Sequence, residues 1–255
     1  MKHTFRYRAG MPVQPGMHLQ LGTQDAHHLV RVVRRRPGDQ VEVVDDHGRL
    51  WPATVADDGG QALLRVGAAP RPAPPPAPVV LYVGLAEWGR IDTVAEKASE
   101  LGVTRLTLMS SERVRRHPEP DSWRRRRERL MRVAEAAARQ AGQGHLVEID
   151  GIVPFEQAVS DTGGDGVLVD PRGTLPLAAA LEGRVDDDAR LAVIVGPDTG
   201  FTDAELTVAR DAGLDICTLG AATLRTETAA LVAMTLALQA SGHLDLSSEQ
   251  HDASE

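Results

Sequence analysis

Short alternating apolar runs open the chain. Met17-His-Leu-Gln-Leu21, Gln40-Val-Glu-Val-Val44, Trp51 to Val55 and Ala62-Leu-Leu-Arg-Val66 place hydrophobic side chains at every second position, the period of a half-buried strand. Between them stand Pro37-Gly38-Asp39, Asp46-His47-Gly48 and Asp57-Asp58-Gly59-Gly60, all turn sequences. The pattern predicts a small β-barrel over residues 1–69. Asp25 to Val33 breaks the alternation and predicts a short helix, with Leu29, Val32 and Val33 on one side.

The texture changes after Pro70-Arg-Pro-Ala-Pro-Pro-Pro-Ala-Pro78, where prolines fix φ and remove backbone donors, so residues 70–78 read as an extended, semi-rigid linker. Beyond it, predicted strands alternate with predicted helices. The strands are Val79–Val83, Val103–Met109, Leu146–Ile149, Gly166–Asp170, Leu191–Gly196 and Ile216–Leu219. Helices are expected over Arg90–Leu101, Asp121–Ala141, Leu175–Leu181, Asp203–Ala212 and Glu227–Ser241. Gly102 and Gly142 stop the first two. Such alternation implies an α/β domain over residues 79–245, a mostly parallel sheet covered on both faces. Residues 246–255 form an acidic tail, expected to be disordered.

Composition narrows the class. The 255 residues are 42% hydrophobic and 25% charged, ordinary values for a globular chain. The longest apolar stretch, Ala229–Leu238, falls well short of the ~20 residues a membrane span needs. MKHTFRYRAG lacks the apolar core of a signal sequence, so a cytoplasmic protein without membrane contact is expected. Net charge is −8, which argues against a nucleic-acid partner, but the charge is unevenly placed. The only lysines are Lys2 and Lys97; arginines cluster at 31 and 34–36, at 105, 113, 115 and 116, and at 124–127, 129 and 132. Such runs fit either solvated helix faces or a surface for nucleic acid.

Ligands of open α/β sheets bind beyond the carboxyl ends of the strands. Three loops leave such ends with unusual residues. Val195-Gly196-Pro197-Asp198-Thr199-Gly200-Phe201 lets backbone approach a ligand, and Thr202 with Glu205 predicts a capping box for the next helix. Leu219 to Ala229 passes through glycine and small residues, then presents Arg225, Thr226, Glu227 and Thr228 at a helix start. Thr226 suits an N-cap and Glu227 a first turn, whereas a cation at position 225 calls for an anionic partner, a ligand phosphate or a carboxylate such as Asp198 or Glu227. Leu168-Val169-Asp170-Pro171-Arg172-Gly173 is the third loop. Each is also compatible with a plain strand-to-helix turn. No spacing among the nine histidines supports a metal, no GxSxG elbow occurs, and Cys217 reads as a core residue.

Gly196-Pro197-Asp198-Thr199-Gly200-Phe201, followed by Leu219-Gly220 and Leu224-Arg225-Thr226-Glu227-Thr228-Ala229, resembles the closing motifs of the RsmE-type 16S ribosomal RNA (uracil-N3)-methyltransferases of the SPOUT superfamily. Glu96-Lys97-Ala98-Ser99-Glu100-Leu101-Gly102-Val103 is similar to that family's QKATELGV segment, and Ala138-Arg139-Gln140-Ala141 to its EQS segment. His27 to Arg34 and Gly38-Asp39 also fit, so the likeness spans nearly the whole chain.

The resemblance implies a PUA-like RNA-binding barrel followed by a SPOUT-type α/β domain with a trefoil knot. It implies a homodimer formed through that domain and S-adenosylmethionine as cofactor. The acceptor would be N3 of a uridine in the RNA of the small ribosomal subunit. The cofactor would lie against Leu168, Val169, Asp170, Val195, Gly196, Pro197, Gly200, Leu219, Gly220, Leu224, Arg225, Thr226 and Ala229. RNA would meet Arg6, Arg8, Arg31, Arg34, Arg113 and Gln140. Arg225 and Glu227 are the expected catalytic pair, the arginine stabilising charge on the uracil oxygens and the glutamate orienting it or accepting the proton. Asp198 and Thr199 stand where the family usually has Glu and Gly, Glu87 where it often has lysine, and Ala222 or Gln143 where it has arginine. If the replaced glycine carries a positive φ, Thr199 is expected to be strained.

Overall fold

The structure, a computed structural model, describes residues 4–6, 12–45, 47–56, 63–72, 75–114, 118–184 and 190–244. The chain divides into two compact units, Met1–Pro75 with Ala136–Leu146, and Pro76–Glu135 with Val147–Glu255.

The first unit holds strands β1 (Thr4–Arg6), β2 (His18–Gln20), β3 (Gln40–Val44), β4 (Leu50–Ala56) and β5 (Leu63–Val66), in the sheet order β1-β3-β4-β5-β2. All pairings are antiparallel except β1 with β3. Among the described residues the ladder runs from β1 to β2 without a pairing that joins its two edges. The alternation seen in sequence sets the core: Trp51, Ala53 and Val55 of β4 meet Val41, Val43, Leu19 and Leu64. The β3–β4 turn is built on Asp45, a carboxylate only 2% exposed. Asp45 accepts hydrogen bonds from the backbone N–H groups of His47 and Arg49, from Arg49 Nε and from Trp51 Nε1 at 2.7–3.0 Å. Burial pushes the Asp45 carboxyl up, but the Trp51 and Arg49 hydrogen bonds outweigh it and hold the group below its ordinary value.

The helix expected over Asp25–Val33 is two pieces, α1 (Thr23–His27) and a π-helical turn, His28–Val32. The wider turn buries Leu29 but rotates Val32 into solvent, away from the side expected for it. The turn is capped by Val33, and next comes Arg34, the only non-glycine residue among those described with a positive φ, 52°.

The proline-rich stretch is engaged at both ends: Arg71 pairs with Leu50 through two backbone hydrogen bonds, and the next strand has begun by Ala77. The end of the long helix joins the first unit through the Arg139–Asp25 ion pair and the approach of Gly48 to Gly144.

The second unit is a seven-stranded sheet in the order β10-β12-β9-β11-β6-β7-β8, with every pairing parallel. Its strands are β6 (Ala77–Gly84), β7 (Val103–Ser110), β8 (Glu148–Pro154), β9 (Gly166–Val169), β10 (Leu175–Pro176), β11 (Leu191–Val195) and β12 (Asp215–Thr218). Its helices are α2 (Trp88–Glu100), α3 (Pro120–Ala141), α4 (Phe155–Asp161), α5 (Leu177–Leu181), α6 (Asp203–Asp211) and α7 (Thr226–Ala240). Val79, Leu81 and Val83 of β6 share one core with α2, α3, α5 and α7; Val80 and Tyr82 share the other with α4 and α6. A sheet buried on both faces explains why its strands read as continuous apolar runs. Helix α4 and strand β10 lack a sequence signal: α4 is short and starts directly from Pro154, while β10 is only two residues long.

Loops at the carboxyl edge lie directly on one another. A Cβ on Gly84 would stand 2.3 Å from the Pro197 nitrogen, and one on Gly173 2.4 Å from the Cys217 carbonyl carbon, so only glycine permits either contact.

Candidate cofactor and acceptor cavities

The loops after β9, β11 and β12 enclose a cavity of about 400 Å3, within the range of small-molecule sites. Of the residues expected around a cofactor, Val169, Asp170, Val195, Gly196, Pro197 and Gly200 line it from the first two loops. Leu219, Gly220, Leu224, Thr226 and Ala229 line it from the third. Leu168 does not: on a pleated strand its side chain points opposite to Val169, into the core under α4 and α6. Arg225 does not line it either. Phe201, Thr218 and Thr223, which are not among the residues the resemblance places against the cofactor, do.

The walls are fixed by charge. Asp170, 2% exposed, accepts from the backbone N and Nε of Arg172 at 2.9 and 2.7 Å through Oδ1, and from Nη2 at 2.9 Å through Oδ2. Burial raises the Asp170 carboxyl, and the Arg172 hydrogen bonds more than reverse this, leaving it below its ordinary value. Arg172 Nη2 also donates to the Phe201 carbonyl at 2.9 Å, and Nη1 to Asp203 at 2.7 Å, binding the β9 loop to the β11 loop. The capping box Thr202–Glu205 forms as expected, and Glu205 Oε1 also accepts from the Glu112 N–H at 2.8 Å.

The Asp198–Thr199 loop is unstrained. Its left-handed residue is Gly200, φ 66°, while Thr199 has no positive φ, so the strain expected at Thr199 is absent. Its carbonyl accepts from Arg113 Nη1 at 3.0 Å.

Asp198 reaches across to the start of α7. Its Oδ1 accepts from the Thr226 N–H at 3.3 Å, from Thr226 Oγ1 at 3.2 Å and from Arg90 Nη1 at 2.6 Å. Thr226 Oγ1 also lies 3.1 Å from the Gly196 carbonyl, so the hydroxyl is shared between two acceptors. The sequence placed Thr226 at the N-cap; the structure places Arg225 there, with no side-chain cap, and Asp198 supplies the missing acceptor from another loop. Arg225 is exposed and its side chain makes no hydrogen bond or ion pair with any described residue, so neither Asp198 nor Glu227 neutralises it. Glu227 instead faces Arg90, with Oε2 3.8 Å from Nη1 and without a hydrogen-bond partner among the described residues. Arg90 was missed, although its signal matches that of Arg225: a cation in the first turn of a helix, α2, where the dipole disfavours it.

A second cavity of about 440 Å3 adjoins the first. Pro197, Asp198, Thr199 and Arg113 belong to both; Trp88 and Ser122 belong to the second alone. Trp88 stacks with Trp123, centroids 6.4 Å apart, and carries the Arg126 guanidinium 5.1 Å from its ring.

Of the residues expected to meet RNA, Arg113 sits at this shared wall. Arg31, Arg34 and Gln140 are exposed in the first unit. Arg6 is described only as backbone in β1, and Arg8, Arg115 and Arg116 lie outside the described residues. Among the described residues no group of His, Cys, Asp and Glu could hold a metal, and no helix is long and apolar enough to cross a membrane.

Comparison with known proteins agrees with this architecture. A family model described as an RNA methyltransferase domain matches residues 73–238, and one described as an RNA methyltransferase PUA domain matches residues 21–66. The chain is 28% identical over 219 residues to ribosomal RNA small subunit methyltransferase E of Synechocystis sp., covering 84% of this chain and 70% of that one. It is 29% identical over 221 residues to the protein of the same name from Mycobacterium tuberculosis, covering 82% of each. A crystal structure of ribosomal RNA small subunit methyltransferase E from Neisseria gonorrhoeae, bound to S-adenosyl methionine, superposes with a TM-score of 0.77 over 94% of this chain and 98% of that one. At 22% identity it attests the shared fold. With the family model spanning both the sheet and the three loops that enclose the cavity, the chain belongs to the RNA methyltransferase domain family.

Proposed function

We propose that this protein methylates N3 of a uridine in the RNA of the small ribosomal subunit, with S-adenosylmethionine as methyl donor. The observation that carries the reading is the cavity walled by the loops after β9, β11 and β12 in a chain of this family. The names of its relatives supply the substrate class.

The cavity suits the cofactor. Its wall at Ala222, Thr223 and Leu224 presents peptide groups that hydrogen-bond to no described residue, the donors and acceptors an adenosine and an amino-acid end require. Val169, Val195, Leu219, Leu224 and Ala229 add the apolar surface that a ring system fills. When bound, S-adenosylmethionine supplies an electrophilic methyl on a sulfonium.

The chain must hold the base and help it shed a proton, because uracil N3 is a poor nucleophile while protonated. Positioning supplies much of the rate. Arg225, exposed at the head of α7 and without a side-chain partner among the described residues, is the cation offered to the uracil carbonyl oxygens. Glu227 acts through Arg90 and lines neither cavity. Arg31, Arg34, Arg113 and Gln140, with Arg6 and Arg8, are the proposed RNA contacts. The remaining features follow the resemblance: a cytoplasmic homodimer through the second unit, and a knot closed by the overlying loops.

The test is calorimetric titration of S-adenosylmethionine into the full chain, followed by mass-spectrometric mapping of methyl groups on small-subunit RNA. Saturable binding and one N3-methyluridine are expected. A folded protein that binds no cofactor, or a methyl group on another atom, would overturn the reading.

A further inference from the structure

We propose that Asp198 is the group that takes the imide proton from the acceptor base; this rests on the uridine-N3 reading above. The two oxygens of this carboxylate are used unequally. Oδ1 receives Arg90 Nη1 at 2.6 Å, the Thr226 N–H at 3.3 Å and Thr226 Oγ1 at 3.2 Å, which fixes the plane and direction of the group. Oδ2 has no hydrogen-bond donor among the described residues, and the side chain is 36% exposed. The carboxylate stands on the segment that separates the two cavities and lines both of them.

Elimination points the same way. Among the described residues the cavities are lined by two carboxylates, Asp170 and Asp198. Both oxygens of Asp170 are taken up by Arg172. Glu227 lines neither cavity and faces Arg90. Asp198 Oδ2 is therefore the carboxylate oxygen left open at the boundary where a methyl donor on one side would meet a base on the other.

The chemistry fits an imide. The edge of uracil reads acceptor, donor, acceptor, an N–H between two carbonyls. A carboxylate oxygen accepts that N–H, and Arg113, present in both cavities, offers cationic donors toward a flanking carbonyl. In the transfer, the N3–H bond breaks and its proton passes to Asp198 Oδ2. The pair left on N3 forms the new N–CH3 bond, the C–S pair stays with sulfur as a neutral thioether, and Asp198 later gives its proton to water. Trp88 gives the second cavity an aromatic wall beside Asp198.

The test compares wild type with Asp198→Asn, which can keep an oxygen toward Arg90 and Thr226 but presents an amide where the proton should go. In the full chain, S-adenosylhomocysteine should bind within about threefold of wild type. Single-turnover methylation of uridine RNA should fall by about 10²-fold or more, the scale of a lost positioned base. The defect should shrink at least tenfold when the acceptor is 5-fluorouridine, whose imide is more acidic. By fluorescence anisotropy, wild type should prefer RNA carrying uridine over RNA carrying N3-methyluridine, and the variant should lose that preference. A variant within tenfold of wild type, or an equal defect on both acceptors, would overturn the assignment and leave Asp198 as a brace for α7. If Asp198→Asn does not fold, Asp198→Glu carries the comparison: a smaller defect that still depends on imide acidity is expected, and an equal defect on both acceptors overturns the assignment. Wild type that does not methylate uridine N3 defeats the parent reading, visibly and before any substitution is made.

Discussion

Arg90 and Asp198 meet at 2.6 Å across 108 residues of sequence, joining the first turn of α2 to the loop after β11. The pair also explains how a carboxylate can sit at the head of α7 with one oxygen held and the other without a donor among the described residues. Arg90→Ala removes the cation between Asp198 and Glu227. We expect about 1 kcal/mol of lost stability, seen as a melting point lower by about 2–4 °C. Cofactor affinity should fall more than stability does, because the cavity wall is what loosens. Calorimetry beside a thermal melt separates the two, and an unchanged affinity would show that the pair does not shape the cavity.

Asp45 should govern acid stability in the first unit. Its carboxyl is held below the ordinary 3.8. The stabilisation is therefore fully present above that value and is lost as pH falls through the lower, folded value. Asp45→Asn should cost about 1–3 kcal/mol at pH 7 and remove this part of the acid sensitivity. Urea titrations at pH 7 and pH 3 check it. Equal losses at both would refute it.

The Asp170–Arg172 clamp should show strong coupling. Arg172→Ala strands a buried carboxylate and unties the Phe201 carbonyl, so it should cost more than Asp170→Asn combined with Arg172→Ala. A double-mutant cycle on unfolding free energy would read a coupling of about 1–2 kcal/mol. Simple additivity would mean that the clamp is not a unit.

Gly84→Ala places a methyl group where the Pro197 nitrogen lies, 2.3 Å away. The methyl would also meet the Pro197 ring at Cδ and the Gly196 carbonyl carbon, so no flexible side chain can yield. About 2–4 kcal/mol of destabilisation and loss of cofactor binding are expected. A variant with normal melting and normal binding would show that the β11 loop can move aside.

Arg34 separates charge from strain. Arg34→Gly relieves a left-handed residue and should stabilise the first unit by about 0.5–1 kcal/mol. The same change removes a cation, so RNA binding should weaken and its salt slope flatten by about one unit. Reversing Arg31 to Glu should weaken binding further without the gain in stability. Unchanged slopes in both variants would return these arginines to an ordinary solvated surface.

Strand–helix alternation made the sheet legible, since a parallel sheet with two covered faces writes itself as apolar runs between amphipathic segments. Ligand loops were legible through their position after strands and their glycines. The side-chain partners were not. Thr226 looked like an N-cap because threonine caps from its own position, and nothing local could show that Asp198 would do so from another loop. Leu168 stands among the expected cofactor residues because the resemblance takes in the whole Leu168–Asp170 segment, and a strand buried on both faces writes no alternation to show which way each residue points. The π-helical turn lacks a period of its own in so short a segment. Arg90 was hidden by distance in sequence, although its cation in a first turn was the same anomaly that singled out Arg225.

The sheet order carries a consequence for the nascent chain. β11 lies between β6 and β9, pairing Val79 with Leu191 and Gly166 with Ala192. When β6, β7 and β8 leave the ribosome, β6 is an apolar strand with one bare edge, and its neighbour has not been translated. That partner must later enter a slot between two strands already made rather than extend a growing margin. Assembly therefore waits for the carboxyl-terminal third of the chain, and contacts so distant in sequence close slowly. A ribosome stalled before Leu191 would hold a half-sheet open to chaperones and to other unpaired strands, so synthesis rate becomes part of what this fold requires.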